Sequence, residues 1–193
     1  MDNKLKIINY LGKHLGEVFT MRALSQALRI PYATFYRTMG KLDGLVRTRR
    51  VGKSTTVTLS QELPVMRSYL TISSEEEKQE FLGKQPLISK IVSELDTTDS
   101  ILLFGSYAKG KERETSDIDL LIINRKGEKS LSFSRYETLF KKKINPLFIT
   151  PAELRQMLKE ETENVGKQAL REHILLNNPE RFWGAVLDVR RRV

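Results

Sequence analysis

Residues 100–124, SILLFGSYAKGKERETSDIDLLIIN, constrain the fold more than any other part of the chain. Ile101–Phe104 and Asp117–Ile123 are short apolar runs of the kind that fills a buried strand, the second with two acids at its start. Between them Gly105-Ser106-Tyr107-Ala108-Lys109-Gly110 makes a small-residue turn leading into a short helix. Gly105 lets the backbone turn sharply and approach a ligand closely. Ser106, at the start of that helix, offers a hydroxyl and neighbouring backbone N–H groups to a phosphate. Asp117 and Asp119 are two apart on the expected strand, so both carboxylates point to one face. Two such acids repel each other unless a cation sits between them. Mg²⁺, a hard ion held by one or two carboxylates plus substrate phosphates, suits that place.

Gly-Ser, a spacer of ten residues between Ser106 and Asp117, and an Asp-x-Asp within an apolar strand occur here in that order. Together they resemble the signature of the nucleotidyltransferase superfamily of the polymerase-β type, in particular its minimal prokaryotic members. The resemblance implies a nucleoside triphosphate whose phosphates lie on the Gly105–Ser106 turn. It also implies Asp117 and Asp119 as catalytic residues holding Mg²⁺ (or Mn²⁺), and transfer of a nucleoside monophosphate to an acceptor hydroxyl by in-line attack on the α-phosphate. Active members usually carry a third carboxylate on a later strand, facing the pair. The matching strand is Ile144–Thr150, and at the corresponding place stands Asn145, which cannot act as a general base. Glu112, Glu114 and Glu137 are the acids from elsewhere that could substitute. Lys109, Lys111 and Arg113 either assist with phosphates or form the solvated face of a surface loop.

The charge of the chain is divided unevenly. Residues 1–60 hold 11 Lys/Arg and three acids, whereas residues 61–193 hold 22 basic and 21 acidic residues. A basic module joined to a near-neutral one is expected, and the basic module is expected to meet a polyanion. Its pattern gives a first helix from Asn3 to Leu15, with Leu5, Ile8, Leu11 and Leu15 as the apolar stripe and Ile7 widening it. Thr20 is placed to N-cap a second helix whose inner face is Leu24, Ala27 and Leu28. Ile30-Pro31 breaks that helix. A third follows from Tyr32 to about Leu42, with Phe35, Met39 and Leu42 buried and Gly44 as its end. Leu45–Arg50 and Ser54–Leu59 flank Val51-Gly52-Lys53 as a hairpin.

Three helices and a basic hairpin in this order resemble the winged helix-turn-helix domain. The resemblance implies double-stranded DNA as a partner, with Tyr32, Thr34, Arg37, Thr38 and Lys41 presented outward by the recognition helix. Arg47, Arg49, Arg50 and Lys53 lie along the wing. Winged-helix regulators are often dimers, so a homodimer is admitted. The expected architecture is therefore α+β in two domains: a winged helix over 1–60, a connector over 61–85, and a nucleotidyltransferase-like mixed β-sheet flanked by helices over 86–193.

In the connector, Ser73-Ser74-Glu75-Glu76-Glu77 has the form of a helix start, with acids in the first turn. The tail divides into two or three helices. Val165, Ala169, Leu170 and His173–Leu176 form one apolar face, and Phe182, Trp183, Val186 and Leu187 pack on the sheet or the connector. His173 and His14 are expected to be packed and hydrogen-bonded, and Arg190-Arg191-Arg192 to add phosphate contacts or to end a helix.

The chain has no cysteine, which excludes disulfides, thiolate nucleophiles and Cys-ligated metals. The absence of a long apolar stretch excludes a transmembrane helix, and the N-terminus is too polar for a signal peptide. A cytoplasmic protein without a membrane partner is expected. Two functions are compatible with these features. One is a metal-dependent nucleotidyltransferase fused to a DNA-binding winged helix. The other is a catalytically weak or inactive nucleotide-binding transcriptional regulator, or an antitoxin-like protein with a separate protein partner.

Overall fold

Apolar residues three and four apart build the first helix, α1 (Asn3–Lys13), and the chain leaves it through Gly16 at φ +90°. Ile7 lies at the centre of its buried face with Ile8 and Leu11, while Leu5 and Leu15 are only half-buried. Phe19–Thr20 forms a short strand, β1, and the Thr20 hydroxyl accepts from Ala23 N at 3.1 Å to cap α2 (Met21–Ala27). The expected inner face of α2 needs correction. Ala27 is exposed, and Ser25 takes the buried place, donating its hydroxyl to Ile30 O at 2.8 Å. That bond closes the turn through Arg29, at φ +53°, and sets the chain for α3 (Tyr32–Met39).

α3 is shorter than expected. Lys41 N bonds to Thr38 O and Leu42 N to Met39 O, so the last turn tightens into i→i−3 bonds and the helix stops. Lys41 lies beyond the helix, and Gly44 belongs to the following turn. Strands β2 (Val46–Val51) and β3 (Ser54–Leu59) then form an antiparallel hairpin about Gly52-Lys53. The pairing of β1 with β3 completes a three-stranded sheet of order β1-β3-β2.

The computed structural model describes residues 1–61 and 64–189. Its contacts divide the chain into two units, Met1–Ser73 and Ser74–Val193. The division falls within α4 (Met66–Leu82), one continuous helix. A helix start at Ser73–Glu77 is thus incorrect. Both serines sit inside the helix and are buried: Ser73 Oγ bonds back to Leu70 O, and Ser74 Oγ accepts the indole N–H of Trp183 at 2.9 Å. Hydroxyls with such partners are tolerated mid-helix.

The second unit is an α+β fold. Helix α5 (Pro86–Ser93) leads to β4 (Ser100–Phe104), the short α6 (Gly105–Ala108) and β5 (Ile118–Ile123). Helix α7 (Ser134–Phe140), β6 (Ile144–Ile149), α8 (Pro151–Lys159) and α9 (Val165–Arg171) follow. Strand β7 (Ile174–Asn177) and α10 (Pro179–Leu187) complete the described part. The mixed sheet has order β6-β5-β4-β7, with β5 parallel to β6 and the other pairs antiparallel. The placement of His173–Leu176 on a helical face is corrected: residues 174–177 extend along β4. Arg190-Arg191-Arg192 lie outside the described residues.

Ile118, Leu120 and Ile122 of β5 share one core with Ile88, Ile91, Phe133 and Tyr136. Leu121 and Ile123, on the opposite face, are also buried, which explains the unbroken apolar run. Among the described residues no helix is long and apolar enough to cross a membrane.

Trp183 is the only tryptophan, and it reports on this packing directly. Replacing Ser74 by Ala leaves a buried indole N–H unsatisfied and should cost about 1–3 kcal/mol. Urea unfolding followed by tryptophan fluorescence should show a lower midpoint for Ser74→Ala; an unchanged midpoint would contradict the role given to this bond.

Candidate functional site

Asp119 lies in β5 and Asp117 just before it, because the strand starts one residue later than expected from the sequence, and the two neighbouring strands complete the site. On one side, the antiparallel register sets Phe104 of β4 opposite Asp119, so the chain leaves β4 through Gly105 directly against the Asp119 carboxylate. Gly105 has φ +72°, and a Cβ there would lie 2.4 Å from Asp119 Oδ2. Glycine is therefore required twice, by conformation and by space. Ser106 follows, half-buried, and among the described residues its hydroxyl has no protein partner.

On the other side, the parallel register pairs Asp119 with Asn145 of β6. The Asn145 amide donates to Asp117 Oδ2 at 3.1 Å and to Asp119 Oδ1 at 3.2 Å. One neutral donor thus holds two carboxylates that would otherwise repel. Asn145 does face the acid pair, as expected from the sequence. Lys143, just before β6, adds a positive charge, its Nζ 3.7 Å from Asp117 Oδ2. The position of Lys143 depends on the turn after α7, where Lys141 takes φ +51°.

None of the acids considered as substitutes joins the pair. Glu112 accepts from the Gln85 amide at 2.7 Å, Glu137 accepts from Ile144 N at 2.9 Å, and Glu114 receives Lys142 on its backbone carbonyl. Among the described residues no group of three His, Cys, Asp or Glu side chains gathers to hold a metal. The neighbouring Tyr107 is buried, and burial together with the Glu112 carboxylate pushes its phenol pKa up, so it stays protonated. Lys109 pairs with Glu172 at 2.6 Å. His173 is 1% exposed, with Nδ1 2.8 Å from Ala169 O and its ring against Phe182 and Trp183. His14 stacks on Tyr10 with ring centres 4.1 Å apart. Both histidines are packed, as expected.

The donor set fits a hard divalent cation incompletely. Asp117 and Asp119 present carboxylate oxygens converging within 3.2 Å of one amide, and the remaining ligands would have to come from phosphates and water.

In the first unit, the residues expected to meet DNA are mostly exposed. Tyr32 is 50% accessible, Thr34 half-buried, and Arg37, Lys41, Arg47, Arg49, Arg50 and Lys53 are all exposed. Thr38 is a correction. It is 8% accessible and donates its hydroxyl to Thr34 O at 2.8 Å, because the short helix turns this position inward beside Phe35 and Met39. Tyr36, 62% accessible and 6.4 Å from the Tyr32 ring, occupies the outward face and was missed. Its i, i+4 spacing from Tyr32 was the available signal.

Gly105→Ala should cost about 1–3 kcal/mol from the left-handed backbone alone and force Asp119 aside. Thermal unfolding should show the loss, and Mg²⁺ should fail to restore it. Wild-type stability would contradict the close approach of Gly105 to Asp119.

No curated protein and no solved structure gives a significant match to the chain. Residues 86–179 match the family model of the nucleotidyltransferase domain. That span runs from the start of α5 to the start of α10 and contains Gly105, Ser106, Asp117, Asp119 and Asn145; it supports nucleotidyl transfer in general and a nucleoside triphosphate as substrate.

Proposed function

We propose that the second unit transfers a nucleoside monophosphate from a nucleoside triphosphate to an acceptor hydroxyl, and that the first unit is a winged helix that brings it to double-stranded DNA. The observation that carries the enzymatic reading is the convergence of Asp117 and Asp119 beside Gly105, in a domain matched by the nucleotidyltransferase model. Asp117 and Asp119 would hold Mg²⁺ or Mn²⁺, which when bound neutralises charge developing on the phosphates and aligns them. Ser106 and the backbone at the Gly105 turn offer hydrogen-bond donors to phosphate oxygens. Lys143, beside Asp117, limits the negative charge of the pair. In the reaction the acceptor oxygen bonds to the α-phosphorus as the bond to pyrophosphate breaks. The hydroxyl proton passes to solvent water, since Asn145 cannot act as a base.

A second reading rests on that same residue. Because a neutral amide bridges the aspartates where an acid would serve as base, the unit can bind nucleotide and metal while turning substrate over slowly or not at all. The protein would then act as a nucleotide-binding regulator on DNA, or beside a protein partner.

Incubation with labelled nucleoside triphosphates, Mg²⁺ or Mn²⁺ and hydroxyl acceptors separates the two. Transfer should be abolished in Asp117→Ala/Asp119→Ala; nucleotide binding without transfer under any condition would select the second reading. Asn145→Asp places an acid facing the pair and should raise transfer by about a hundredfold to ten-thousandfold, the range in which general bases act. No gain in a folded variant would contradict the role given to Asn145. For the first unit, Arg37→Ala should weaken preference among duplex sequences, whereas Arg49→Ala should weaken all duplexes alike. Binding insensitive to salt would contradict DNA recognition.

A further inference from the structure

A cleft of about 920 Å³ opens in the first unit between the start of α2, the α2–α3 turn and the tip of the β2–β3 hairpin. Arg22, Arg29 and Lys53 line it, with Gln26, Thr55 and Tyr32. Strand pairing assembles these distant residues. The register Phe19↔Val57 and Thr20↔Thr56 brings the beginning of β3, and Lys53 just before it, beside the N-terminus of α2. Arg29 comes from the tight turn that the Ser25–Ile30 bond closes, where its backbone is left-handed at φ +53°.

The electrostatics of this cleft are unlike those of the second unit. There Lys78, Lys90, Lys109, Lys143 and Arg171 each face a carboxylate. Among the described residues no acid lies within ion-pair reach of Arg22, Arg29 or Lys53, all of which are exposed. Three cations sharing one concave surface repel each other and concentrate positive potential, which an anion would relieve. The cleft is also continuous with Tyr32, at the start of the helix that exposes Tyr36 and Arg37.

We infer that this cleft seats a backbone phosphate of duplex DNA between Arg22, Arg29 and Lys53. The inference rests on the reading of the first unit as DNA-binding and extends it. Arg22 and Arg29 lie outside the recognition helix and the wing, and they fix where the duplex sits without reading its bases.

The test is fluorescence anisotropy of the full chain on two labelled duplexes of unrelated sequence, over a salt series. The variants are Arg22→Gln and Arg29→Gly. Glycine accepts the left-handed backbone at position 29 without strain, so Arg29→Gly removes the charge while sparing the fold. Each variant should weaken both duplexes alike, by about fivefold at roughly 0.15 M salt, and lower the salt slope by about one. Unchanged affinity and slope in both variants, while Arg37→Ala still weakens binding, would overturn the cleft and leave the DNA reading standing. Absence of salt-dependent duplex binding by the wild type would instead overturn the DNA reading itself. Tight binding of inorganic phosphate, lost in both variants and unaffected by duplex, would assign the cleft to a small anion and overturn the duplex assignment.

Discussion

One side-chain amide holds the candidate site of the second unit together. Asp119 in β5 and Asp117 just before it project to one side of the strand, and their like charges repel each other. Asn145, on the adjacent strand, donates to both at 3.1 and 3.2 Å and offsets that repulsion. This contact depends on sheet register. A slip of one residue between β5 and β6 would turn Asn145 to the opposite face, and the same slip between β4 and β5 would separate Gly105 from Asp119. The chemistry at the edge of the sheet therefore depends on the register of its strand pairing.

The two units use charge in opposite ways. In the second, the lysines and arginines near the sheet are largely matched by acids, and the exposed pairs add little stability individually. In the first, the acids are few, and among the described residues no acid lies within ion-pair reach of Arg22, Arg29 or Lys53. Unrelieved positive charge carries a folding cost, and its concentration there is the physical ground on which a polyanionic partner is proposed for the first unit.

Much of this was legible in the sequence because it is local. Thr20 caps its helix, Gly52-Lys53 turns the hairpin, and the apolar runs at 101–104 and 118–123 are buried strands. The alignment that set Asn145 against the acid pair also held, because strand length and the preceding turn left little freedom. What local pattern missed was decided by distant partners. Ser73 and Ser74 look like a helix start until Trp183, more than a hundred residues away, gives Ser74 a buried hydrogen bond. Ile174–Asn177 is too short an apolar run to distinguish strand from helix, and only pairing with β4 settles it. Thr38 was expected outward, but it lies on the inner side of α3 beside Phe35 and Met39, with its hydroxyl on Thr34 O. The convergence of Arg22 and Arg29 on Lys53 required the β1–β3 pairing, which two residues of strand do not announce.

The central claim is that two carboxylates and an amide form an incomplete metal site that a nucleotide completes. Titration of the full chain with Mn²⁺, followed by its electron paramagnetic resonance signal, tests this most directly. Mn²⁺ should bind weakly alone and markedly more tightly when a non-hydrolysable nucleoside triphosphate is present, with both effects lost in Asp117→Ala/Asp119→Ala. Mn²⁺ binding that is absent, or that is indifferent to the nucleotide, would contradict it.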